Sequence, residues 1–219
     1  MTTSPPPDFH LNRPAVLIAA LPAVLGFVPE NSLVLVTVDR GTMGCVMRVD
    51  LSDDVTDSVD QIAQVAAAAR PDAAIAVIVD EQGAGCRLCN DEHRELAAML
   101  AAVLAEHGIE LLAAHVVDRV AAGGRWHCAD GCGEAGTVDD PSASPLAMAA
   151  VLDGRRLYAR RAELQDVIAV TDPARAAALG GLIADAQAGR SPADARRDIE
   201  AAIAATTRIA DGSDLPDET

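Results

Sequence analysis

No lysine occurs anywhere in the 219 residues; all 17 basic side chains are arginines. That absence removes a phosphate loop with its lysine, a pyridoxal Schiff base, and any lysine base or nucleophile. Arginine holds its proton and grips anions with a planar fork, so the cations of this chain clamp rather than shuttle protons. Aromatic residues are scarce too, at 2%: one Trp, one Tyr and two Phe. A core without rings forgoes the large contact area each one brings, so it must be assembled from the Ala, Val, Leu and Ile that dominate the 50% apolar content. Also missing are a Gly-x-Ser-x-Gly elbow and a His-Glu-x-x-His helix. Positive charge is in deficit. A net charge of −16 repels polyanions and disfavours nucleic acid as a partner.

The five cysteines (45, 86, 89, 128, 132) form an odd set that does not suit a simple secreted disulfide framework. Residues 14–28, PAVLIAALPAVLGFV, have the look of a signal peptide, but a proline interrupts the run and no small-x-small cleavage site follows. The run is too short to cross a bilayer as a helix. It reads as a core helix, the protein as cytoplasmic, and no membrane partner is expected.

Along the chain, Asn12 is placed to cap a helix that has Pro14 in its first turn and stops at Gly26. LVLVTV (33–38) is a continuous apolar run, the pattern of a strand covered on both faces. DRGT turns it into GCVMRVDL (44–51), where Cys45, Met47 and Val49 alternate with Val46, Arg48 and Asp50. Val55, Val59, Ile62, Ala66 and Ala69 make a helical stripe ended by Pro71, and AIAVIVD (74–80) is a second buried strand. Asn90 is expected to cap a helix whose core face is Leu96, Met99, Leu100, Val103 and Leu104. IELLAAHVVD (109–118) is the next strand, with His115 buried or half-buried in it, and RWHC begins a short edge strand. Beyond 140 helices open at Ser144-Pro145, near 159, at Asp172-Pro173 (interrupted by Gly180-Gly181) and at Ser191-Pro192.

The fold class is therefore α/β. A β-hairpin followed by α-β-α-β gives a mixed sheet with helices on both faces and a helical C-terminal region. Residues 1–11 form a disordered lead, 12–139 the α/β domain, 140–210 the helical region packed on it, and 211–219 a disordered acidic tail.

Asp39, Asp50, Asp80 and Asp118 each follow an apolar strand. Where strands run parallel, that edge is where α/β folds bind ligands, and gathered carboxylates hold divalent metals for hydrolysis. Aspartate is also common wherever a strand enters a turn. Arg48 and Asp50 share a strand face, either lining a binding pocket or tying the hairpin to a helix. RRLYARR (155–161) is either a solvated helix face or a local anion site.

Cys86-x-x-Cys89 and Cys128-x-x-x-Cys132 together offer the four thiolates of a structural zinc site, with His127 to spare. The alternatives are a labile Cys128–Cys132 disulfide, a redox Cys86-x-x-Cys89 pair, and a glycine-rich turn with Trp126 packed on the core. The turn is the primary reading, so no cofactor is predicted and zinc is the alternative.

LIAALPAVLGFVPENSLVLVTV, followed by MRVDL, resembles the opening of the actinobacterial domain of unknown function 4192 family. Leu21, Pro22, Leu25, Gly26, Phe27, Pro29 and Ser32 match its helix, turn and first strand; Arg48, Val49, Asp50 and Leu51 match its second. GRWHCADGCGEAGTV is similar to a later family segment at Gly124, Arg125, Trp126, Cys128, Cys132, Gly136 and Thr137, but lacks the proline expected near the second cysteine. The resemblance spans roughly residues 13–170, implies an actinobacterial source and brings no activity with it. Arg48, Asp50, Arg125 and Trp126 are the binding candidates that lie within it.

The functional expectation is a non-catalytic binding or protein-interaction module, with a protein partner or a second copy on the alanine-rich helices. The rivals are a metal-dependent hydrolase at the four aspartates and a zinc-stapled or thiol-switch domain.

Overall fold

A computed structural model of the chain describes residues 13–52, 55–188 and 197. The helix cap at Asn12, the lead, the helix from Ser191 and the acidic tail lie outside the described residues. The chain divides into two units, one ending at Val167 and the other beginning at Ile168. The second contains helix α6 (Pro173–Ala188), which runs through Gly180 and Gly181 without the expected interruption.

The first unit is α/β, built on a six-stranded mixed sheet in the order β2-β1-β3-β4-β5-β6. Strands β1 (Ser32–Asp39) and β2 (Thr42–Asp50) form the expected hairpin. Its turn has Arg40 at φ 49° and Gly41 at φ 77°, the left-handed pair whose twist suits a two-residue hairpin loop. β1 also pairs antiparallel with β3 (Ala73–Val79), and β3 pairs parallel with β4 (Glu110–Val117). Short strands β5 (Arg125–Cys128) and β6 (Ala135–Thr137) extend the sheet antiparallel. RWHC is thus an interior strand, and the edge belongs to β6.

The strict two-residue alternation of a strand sends neighbouring side chains to opposite faces, and both faces are covered. On one, Val34 and Val36 of β1 and Val77 and Val79 of β3 pack with Leu17, Ile18 and Leu21 of helix α1 (Pro14–Leu25). On the other, Leu33, Leu35, Ala76 and Ile78 meet helices α2 (Val55–Ala68) and α3 (Arg87–Glu106) through Val59, Ile62, Leu100 and Leu104. This double cover is why LVLVTV and AIAVIV read as unbroken apolar runs. Helix α4 (Pro145–Leu152) packs against α1, with Ser144 Oγ accepting from the Ala147 amide as its cap.

Two sequence expectations need correction. Helix α3 starts a turn before Asn90: the Asn90 amide already donates helically to the Cys86 carbonyl (3.0 Å), and its side chain bonds to His127 instead of capping. The segment 155–160 is not a helix face. Gly154 (φ 72°) ends α4, and the chain returns along the end of α1, where Tyr158 N donates to Gly26 O (2.8 Å) and Val28 N to Tyr158 O (3.2 Å). Helix α5 (Arg161–Val167) begins only after this bridge.

Candidate functional site

Strand pairing decides which carboxylates meet. Ser32 is opposite both Asp50 and Val79, and Val79 is opposite Val117, so Asp50, Asp80 and Asp118 leave the sheet at one edge. Asp39 does not join them. Because β1 is antiparallel to both neighbours, Asp39 ends at the opposite edge, where Val38 faces Ala73 and Arg40 N donates to Asp72 (2.9 Å). The four-aspartate metal centre considered from sequence is therefore not assembled.

Asp80 and Asp118 stand side by side at the ends of the two parallel strands. Asp80 Oδ1 accepts from the amides of Gln82 (3.0 Å) and Gly83 (2.8 Å), and Oδ2 lies 3.0 Å from Nε2 of His93. Gly83 is required there: a Cβ would fall 1.9 Å from Asp80 Oδ2. His93 is buried, and among the described residues its Nδ1 has no hydrogen-bond partner. Asp118 Oδ1 accepts from Arg125 N (2.8 Å), while Oδ2 meets Arg119 (3.2 Å) and, more loosely, Arg125 Nε (3.8 Å). Above them opens a cleft of 660 Å³ whose polar lining includes Glu30, Asn31, Asp80, Glu81, Asp118 and Arg119, with Val28 and Val79 as apolar wall. A second recess of 730 Å³ shares Glu81, Gln82 and Asp118 with it and continues past Arg125 to Gly136 and Thr137.

Asp50 is drawn away from this cleft. It pairs with Arg48 of its own strand and with Arg161 of α5 (3.2 Å). Arg48, whose side chain is only 10% exposed, also donates to Ser32 Oγ (2.7 Å) and to the Glu30 carbonyl (3.2 Å). The pair ties the hairpin to the turn before β1 and to a helix. Of the other binding candidates, Arg125 is exposed and Trp126 is buried, its ring edge-on to His115 at 5.3 Å. In the 155–161 segment, Arg155 reaches the Ala23 carbonyl (3.5 Å), Arg156 stacks on Tyr158, and Arg160 pairs with Glu163 (3.6 Å).

All five cysteines are thiols. The two pairs do not meet: among the described residues, the thiols that come together with a third metal-ligating group are Cys128 and Cys132, joined by Glu134 rather than by Cys86 and Cys89. The first pair sits at the start of α3, where a hydrogen bond with Cys86 raises the Cys89 thiol above its ordinary value. The second flanks the β5–β6 turn. Burial, aided by the Cys132 thiol and the Asp130 charge, pushes Cys128 up to about 12. Burial also lowers His115, whose Nδ1 is 3.6 Å from Cys128 Sγ, and His127, which bonds to Asn90 (3.1 Å). His93, Glu30 and Glu134 carried no motif. Only the spacing of His93 with Leu96 and Leu100 on one face of α3 hinted that it points to the sheet.

Among the described residues, no helix is long and apolar enough to cross a membrane. No curated protein and no solved structure matches the chain. The family model described as Domain of unknown function (DUF4192) matches residues 14–219, nearly the whole sequence, and the chain belongs to that family.

Proposed function

We propose that this is a non-catalytic binding module of an actinobacterial cytoplasm, whose strand-end cleft takes a small cationic ligand rich in hydrogen-bond donors. The carrying observation is the polar lining: Glu30, Asp80, Glu81 and Asp118 face one arginine, Arg119, already paired with Asp118. A concave site lined by one sign of charge concentrates ligands of the other, and the net charge of −16 adds to that field.

Hydrolase chemistry is the second reading, favoured by the side-by-side placement of Asp80 and Asp118. We rank it below binding because both oxygens of each carboxylate already accept hydrogen bonds or pair with cations. A metal would have to share those oxygens with their present partners. Self-association is also part of the proposal, through exposed Met148, Val151 and Leu152 of α4.

Calorimetric titration with spermidine and with arginine methyl ester tests the cleft. Saturable binding that weakens about tenfold in the double variant Glu30→Gln/Glu81→Gln, and again as salt rises, is the expected result. Binding indifferent to both changes, or none at all, would reject the cleft as a cation site. Turnover of a phosphate ester that needs Mn²⁺ and disappears in Asp80→Asn would instead favour the hydrolase. Light scattering that finds a monomer at every concentration would remove the self-association part.

A further inference from the structure

The turn between β5 and β6 is folded so that donor atoms far apart along its backbone face one another. The Cys128 amide donates to the Glu134 carbonyl (3.0 Å) and closes the turn. Within it, Gly131 (φ 76°) and Gly133 (φ 86°) adopt the left-handed conformation that side chains resist, and Cys132 N donates to Asp130 Oδ1 (2.9 Å). Cys132 is thereby curled back. Its Sγ, the Cys128 Sγ and a Glu134 carboxylate oxygen all lie within 4.8 Å of one another.

Behind Cys128 stands an imidazole of the sheet. His115 is directly opposite Cys128 in the β4–β5 register, is 4% exposed, and has Nδ1 3.6 Å from Cys128 Sγ. Trp126 packs edge-on against the imidazole and limits its rotation.

We propose that Cys128, Cys132 and Glu134 bind one zinc ion, with water completing its fourth position. Two thiolates and a carboxylate are a donor set suited to zinc, and harder ions such as Mg²⁺ or Ca²⁺ avoid sulfur. On binding, each thiol releases its proton to solvent; nothing is oxidised or reduced. The ion would staple the turn to the end of β5, and with it the start of β6, whose Ala135, Gly136 and Thr137 line the second strand-end recess. Cys86 and Cys89 take no part.

The test uses the whole chain, purified without chelator. Metal analysis should find about one zinc per chain, and Co²⁺ added to stripped protein should give the sulfur-to-cobalt charge-transfer band and intense visible bands of a tetrahedral site. Cys132→Ser, at an exposed position that a folded protein tolerates, should lose both signals, as should Glu134→Ala in large part. The double variant Cys86→Ser/Cys89→Ser should keep them. Absence of zinc together with absence of the cobalt band in the wild type would overturn the site. So would retention of metal in Cys132→Ser, or its loss only in the Cys86/Cys89 variant.

Discussion

The two cysteine pairs differ by a single spacer residue in sequence, yet the fold gives them opposite surroundings. Cys86 and Cys89 ride on the first turn of a long helix, above the Asp80–His93 contact, and their positions follow from helical geometry. Cys128 and Cys132 hang from the end of β5 and the turn after it, one thiol inside the core and one in solvent, with a histidine behind and a carboxylate in front. A helix holds a Cys-x-x-Cys pair near one point of its surface whatever lies beneath. A glycine turn on a sheet can instead bring a strand-end thiol together with donors from the turn that follows it. The lesson is that spacing alone does not identify a thiol site; the element carrying the spacing does.

Thiol chemistry should separate the two members of the second pair most sharply. With its pKa at about 12 against the ordinary 9.0, Cys128 carries roughly a thousandfold less thiolate at neutral pH than an unperturbed thiol. In chelator-treated protein, alkylation followed by peptide mass spectrometry should label exposed Cys132 early and Cys128 last of the five. Early labelling of Cys128 would mean that its pocket opens, and the contrast between the pairs would collapse.

Two glycine substitutions probe each neighbourhood separately. Gly83→Ala drives a methyl group into Asp80 Oδ2, a clash that the bonds from Gln82, Gly83 and His93 leave little freedom to relieve. A loss of about 2 kcal/mol in denaturant stability is expected, with zinc binding unchanged. Gly136→Ala puts a Cβ 3.0 Å from Trp126 Nε1, where the indole must yield by a few tenths of an ångström. About 1 kcal/mol and a shifted Trp126 emission are expected there. If Gly83→Ala instead moved the tryptophan signal or the zinc content, the two regions would be coupled and the comparison would need redrawing.

Much of this fold was legible because its central strands obey simple patterning. β1 and β3 are covered on both faces, so their apolar runs have no other stable home, and the DRGT turn suits a hairpin. β6 was not legible. Ala-Gly-Thr has no alternation and only Thr137 favours a strand, and the ladder closes because Gly136 leaves room for the Trp126 ring across it. The hairpin alone parts Asp39 from Asp50, as its turn foretells; that Asp80 and Asp118 share Asp50's end depends on β3 inserting beside β1, which no local pattern encodes. Likewise the cysteine pairs stay apart because the first is committed to α3 and the second to a turn beyond β5, and the sequence shows spacings, not the elements that carry them. Glu134 and His115 were in plain view, but a carboxylate and a strand histidine become partners of a thiol only once β4 and β5 are paired in register.

The smallest effect expected is a dependence of stability on pH, and its sign follows from the two histidines near the second pair. Burial lowers both His115 and His127 below the ordinary 6.5, so the fold favours their neutral forms. Between the lowered values and 6.5 the unfolded chain binds more protons than the folded one, and stability rises with pH across that window. Their contribution is complete above 6.5 and is lost as pH falls through the folded values. Asp130 and Asp140 are held below the ordinary 3.8 by hydrogen bonds, so their own contribution is lost only at more acid pH and does not confuse the window. Urea midpoints of zinc-stripped protein should therefore drop between about pH 7.5 and about pH 5.5, and the drop should shrink in His115→Gln. A midpoint that stayed level or rose on acidification would mean that these imidazoles are reached by water in the stripped protein, and that the β5–β6 turn holds its closed form only with an ion in place.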